Sequence, residues 1–124
     1  MKILKIQGGL SIDNDVIGSI AAMAATNVQG VSSLGTSSFK QVLAEKVKRR
    51  QRKSRGIEVE AGLKEAILDI DLKVFYGYSI RDVVRDVRFE VATKVLELTG
   101  LKAKEINIYV VGVDPKDNRS NEAK

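Results

Sequence analysis

The chain has 124 residues, 44% hydrophobic and 30% charged, with 21 Lys+Arg against 16 Asp+Glu and a net charge of +5. One proline, no cysteine and no histidine exclude disulfide staples, thiolate chemistry, the commonest metal ligand and the commonest neutral-pH base. The length suits one globular domain with a workable core. No apolar run spans a bilayer, and the start MKILKIQGGLS is too short in apolar residues for a signal peptide. The expected location is the cytoplasm.

In chain order, a strand is expected from about Lys2 to Ile12, with Leu4, Ile6, Leu10 and Ile12 on even positions and a bulge at Gly8-Gly9. A helix of about fourteen residues follows, capped by Asp13 or Asn14 and stopped near Gly30. Its apolar stripe is Val16, Ile17, Ile20, Met23, Ala24 and Val28, while Gly18, Ala21, Ala22 and Ala25 keep its body thin. Residues 31–38, VSSLGTSS, read as a loop. Phe39, Val42, Leu43 and Val47 then share one face of a short amphipathic helix that runs into KVKRRQRKSR.

That decapeptide holds the surplus charge. Lys46, Lys48, Arg49, Arg50, Arg52, Lys53 and Arg55 are basic, and none of its residues is acidic. Without those seven the chain carries 14 basic and 16 acidic side chains, a net charge of −2. Such a run resists burial and is either solvated or neutralised by an anionic partner. Near an anionic leaflet each Lys or Arg contributes about 1 kcal/mol, and the amphipathic face can lie beside it in the interface. Nucleic-acid phosphates are the alternative, bound with a steep salt dependence.

Order resumes at Gly56. Ile57, Val59 and Ala61 alternate with Glu58 and Glu60, and Leu68, Ile70, Leu72 and Val74 alternate with Asp69, Asp71 and Lys73, which predicts an antiparallel hairpin. Ser79 with Asp82 caps a long helix that ends near Thr99 with Gly100 as its stop. Its core face is Ile80, Val83, Val84, Val87, Val91, Val95 and Leu98. Phe89 and Leu96 project to the opposite side, seven residues apart, where an exposed apolar row can meet another subunit. The last strand runs from about Lys104 to Val113, before Pro115 and a polar tail read as disordered over residues 116–124. The fold class is therefore α+β: a β-α-β-β-α-β order, with two helices packed on a mainly antiparallel four-stranded sheet.

Chemistry is sparse. Glu58, Glu60, Asp69 and Asp71 could form an acid/base pair or an oxygen-only cation site, but alternation already accounts for them as the solvent face of a sheet. Tyr76 and Tyr78 flank Gly77 and are read as anchors of that corner. There is no phosphate-binding glycine loop and no aromatic RNA-stacking platform. No catalytic, cofactor or metal residues are assigned, and no small-molecule substrate is expected.

Two blocks resemble a known family. The first is GGLSIDNDVIGSIAAMAATNVQGVSSL, with its helix start at Ser11-Ile12 and the exit Val28-Gln29-Gly30-Val31. The second is the stretch from Gly56 to Val113, marked by Tyr76-Gly77, Thr99-Gly100-Leu101 and Val110-Val111-Gly112-Val113. Together they resemble the alkaline-shock and glucose-starvation (envelope stress response) family of mostly Gram-positive bacteria. The resemblance implies one such domain over residues 1–115, into which the charge pattern places a basic amphipathic insert at 39–55. It further implies a non-enzymatic cytoplasmic protein tied to envelope stress, self-associating and with a membrane-anchored partner; the basic run adds the expectation of an adaptor or scaffold that meets an acidic partner or the inner face of the membrane. The dense basic run departs from the family pattern.

Overall fold

The computed structural model describes residues 6–35 and 56–115. Its elements are α1 (Asn14–Thr26), β1 (Val31–Leu34), β2 (Ile57–Ala61), β3 (Glu65–Phe75), α2 (Ile80–Thr99) and β4 (Lys102–Asp114). Two helices pack on a four-stranded, mainly antiparallel sheet, as the alternation and helical periods predict.

β3 is the centre of the sheet because its even residues are wholly apolar. Ala66, Leu68, Ile70, Leu72 and Val74 are all buried beneath the helices. Every other strand pairs with it. β4 runs parallel along its length from Glu65 to Phe75. β2 lies antiparallel against Ala66–Ile70 and β1 antiparallel against Leu72–Val74. A strand has two edges, so β1 and β2 share the one that β4 leaves, end to end and in the same direction. They are two halves of one strand.

The first strand is therefore not where alternation put it. Residues 6–13 form no strand and Ile6 and Leu10 are exposed, while residues 2–5 lie outside the described residues. A strand forms instead at Val31–Leu34, read from sequence as loop, on one edge of β3. Four residues with two serines carry too little pattern to announce a strand. Pairing with Leu72–Val74 and the burial of Val31 decide the matter.

α1 packs through a face turned somewhat from the expected stripe. Ile17, Ala24 and Val28 of that stripe are buried and Ile20 packs against the core, but Val16 is 48% and Met23 66% exposed. Ala21 and Ala25, from the thin side, complete the packing face. This face lets the helix come down on β2, where Gly18 lies beside Ile57 and Val59. Asp13 occupies the N-cap but makes no side-chain cap bond; Asn14 Nδ2 instead donates to Val59 O at 3.2 Å. The helix stops at Thr26, four residues before Gly30.

α2 follows the sequence reading closely. Ser79 Oγ accepts from Asp82 N, and Gly100 ends the helix with φ of 82° and its N–H on Leu96 O. Val83, Val87, Val91 and Val95 are buried, but Ile80 and Leu98, at the two ends, are exposed. α2 lies over the β4 side of the sheet and α1 over the β1–β2 side, packed against each other. β3, α2 and β4 thus form a parallel strand–helix–strand unit.

Candidate functional site

The basic segment enters and leaves the fold at one point. Gly35 N–H donates to Asp71 O at 2.9 Å, just after β1, and Gly56 directly precedes β2. A Cβ placed on Gly56 would stand 2.8 Å from Gly35 Cα and N and 3.1 Å from Asp71 O. Both glycines have positive φ, 98° and 71°. The two chain ends thus meet beside the Asp71 carbonyl, where Gly56 has no room for a side chain and Gly35 is held by its positive φ. Residues 36–55 are an insertion into a strand, opened and closed at this glycine pair. The anionic-partner set Lys46, Lys48, Arg49, Arg50, Arg52, Lys53 and Arg55 and the amphipathic set Phe39, Val42, Leu43 and Val47 lie outside the described residues.

Phe89 and Leu96 are described, and they stand exposed on the outer side of α2 at 67% and 52%. The sequence reading did not find the groove beside Phe89. It is shallow and open, lined by Ile80, Arg81, Val84, Arg85, Arg88 and Phe89. Its signal was available: Ile80, Val84 and Phe89 are apolar residues separated by arginines along one flank. Two of its three arginines are held, one by the helix itself and one by β4. Arg85 reaches Asp82 at 3.1 Å and Asp86 at 3.2 Å, and exposed Arg88 donates Nε–H to Ile106 O at 3.0 Å.

The carboxylates of the hairpin lie on the sheet face turned from the helices. Glu58 pairs in register with Asp69, whose Oδ1 accepts from Asn107 Nδ2 at 2.9 Å. Asp71 differs from its neighbours on that face: it is only 5% exposed, at the crossing of Gly35 and Gly56. Among the described residues no three His, Cys, Asp or Glu side chains converge as a metal site. Tyr78 does anchor its corner, its ring against Gly30 and its hydroxyl accepting from Gln29 Nε2 at 3.4 Å, whereas Tyr76 is exposed. Asp114 closes the opposite side of that corner. Its side chain accepts from Ser32 Oγ and lies 3.7 Å from Lys73 Nζ, and its carbonyl accepts from Tyr76 N.

A family model matches residues 2–115, that of the alkaline-shock protein 23 family, described as having a cell envelope-related function. The chain belongs to this family. It is 32% identical over 107 residues to the Bacillus subtilis protein described as uncharacterized protein YloU, covering 86% of this chain and 88% of that one. It is 28% identical over 112 residues to the stress response regulator gls24 homolog of Streptococcus pyogenes, covering 90% of this chain. The match spans 62% of that streptococcal relative's length. Among solved structures, the nickel form of a MamM CTD variant superposes with a TM-score of 0.52 at 8% identity, over 83% of this chain and 99% of that chain. That likeness concerns the fold alone. Among the described residues no helix is long and apolar enough to cross a membrane.

Proposed function

We propose that this family member is a non-catalytic adaptor in the cell-envelope stress response. Its folded unit self-associates through the Phe89–Leu96 flank, and its basic segment engages an acidic protein or the anionic inner surface of the membrane from the cytoplasmic side. The observation that carries this reading is the glycine crossing at Asp71. It holds both ends of a segment with eight basic residues and one acidic residue at a single point on the sheet. The segment can therefore meet a partner without unpairing β1 or β2 from β3. The family's envelope description and the stress-response name of the streptococcal relative support the same direction.

Binding at two salt concentrations tests it. The intact chain and the variant with Lys48, Arg49, Arg50 and Arg52 all changed to Gln are compared. The probes are phosphatidylserine-containing vesicles, a polyglutamate peptide, and duplex and single-stranded nucleic acid. Binding to vesicles or polyglutamate that the Gln variant loses supports the proposal. Tight binding to nucleic acid with none to the other two overturns it in favour of a nucleic-acid-binding module.

A further inference from the structure

The outer edge of β4 and the groove on α2 above it form one continuous surface. Among the described residues β4 pairs only with β3, so a strand of thirteen residues presents a second edge without a strand beside it. The bond from Arg88 shows which carbonyls face that way. Arg88 is exposed on the β4 side of the molecule, so its reach to Ile106 O comes from outside the sheet, and Ile106, Ile108 and Val110 direct their backbone groups outward. Register irregularities flank this stretch, between Ala103 and Glu105 and between Val110 and Gly112. They leave Glu105–Val110 as the regular segment.

We propose that this edge is the seam of a two-fold homodimer, in which β4 pairs antiparallel with β4 of a second copy about Ile108. The proposal rests on the self-association reading above, gives the Phe89 end of that flank a geometry and leaves Leu96 outside the seam. With Ile108 opposite itself, Ile106 faces Val110 of the second copy on the helix side and Asn107 faces Tyr109 on the other. Lys102 and Lys104 lie at one end of the strand and Asp114, already beside Lys73, at the other, so antiparallel pairing keeps the lysine ends of the two copies apart. Parallel pairing would set like against like.

The helices fit the same axis. Arg88 is level with Ile106, and the two residues from Ile106 to Ile108 advance about 7 Å. On α2, which runs back against β4, that distance is about four to five residues. The axis thus passes near Val84, the middle of the groove. Each Phe89 then lies beyond the axis toward Ile80 of the other copy. Asp82 and Asp86 both pair with Arg85, and with Arg81 and Arg88 the flank carries three basic and two acidic side chains, a net charge of only +1. A second copy of the same near-neutral, apolar-centred flank is the occupant it suits. Arg88 is the local guard of the edge: in the dimer the Ile106 carbonyl also accepts from Val110 N–H of the second copy, through its other lone pair.

A cysteine-free chain makes the register directly testable. Asn107→Cys and Tyr109→Cys proteins are prepared separately, mixed, and oxidised, beside sedimentation of the unmodified chain. Positions opposite each other at a non-hydrogen-bonded pair are close enough for a disulfide. The expected result is a disulfide dimer in the mixture at several times the yield of either protein alone, and at least a tenfold weaker dimer for Phe89→Asp. A dimer in sedimentation without preferential mixed disulfide overturns the seam while leaving self-association standing. A monomer at every concentration overturns both. Should Asn107→Cys fail to fold by circular dichroism, Ile108→Cys alone, opposite itself across the two-fold axis and inside the regular segment, reads the same register.

Discussion

Gly30 lies in the turn from α1 to β1 with φ of 102°, where its carbonyl accepts Phe75 N–H at 2.9 Å. A methyl group there would stand 2.7 Å from Val83 Cγ2 and 3.1 Å from the Tyr78 ring. Both the backbone conformation and the space reject a side chain. Gly30→Ala should destabilise the protein by about 2 kcal/mol or more, read as a lower urea midpoint with an unchanged slope. Ser79→Ala removes only the acceptor for Asp82 N and should cost about 1 kcal/mol in the same titration. The two positions also divide what a sequence can disclose. Ser79 was legible because a cap is a local spacing rule. Gly30 was legible as a punctuation mark, but its role as a helix stop was not: α1 ends at Thr26, and the constraint on Gly30 comes from Val83 and Tyr78, some fifty residues away.

Among the elements, β2, β3, α2 and β4 declare themselves because their periods are long and uninterrupted. β1 does not, since its strand is broken by residues 36–55 and only Val31–Leu34 remains on the near side. The candidate surfaces follow the same division. Phe89 and Leu96 were found from the helical period alone, but the groove joining Phe89 to Ile80 and the strand edge beneath it exist only once α2 is laid over β4. α1 shows a further limit: hydropathy found Ile17, Ile20, Ala24 and Val28, but the small Ala21 and Ala25 take packing positions expected of Val16 and Met23. Two substitutions test this packing. A Cβ on Gly18 would meet Ile57 Cγ2 at 3.7 Å and Val59 Cγ2 at 3.8 Å, ordinary contact distances. Gly18→Ala should therefore stabilise by about 0.5–1 kcal/mol and raise the melting temperature. Ala25 is completely buried, so Ala25→Leu should overpack the interface and destabilise by about 1–3 kcal/mol. If Ala25→Leu is neutral, α1 does not pack through its small residues.

For the whole molecule, the net charge of +5 belongs to one insertion. Residues 36–55 hold eight basic side chains and one acidic, so without them the chain would carry −2. In the function proposed above, the sheet and helices would serve as a platform with a self-pairing edge, and the insertion would supply the attraction for anions. Joining Gly35 to Gly56 by a two-residue Gly-Ser link should leave one cooperative thermal transition within a few degrees of the intact chain, because β1 and β2 are already aligned on β3. The most direct test is the salt concentration at which this shortened chain elutes from heparin, beside the intact chain. The intact chain should be retained well above physiological salt, and the shortened chain should pass through unretained. Equal retention of a shortened chain that still melts cooperatively would contradict a binding role for the insertion.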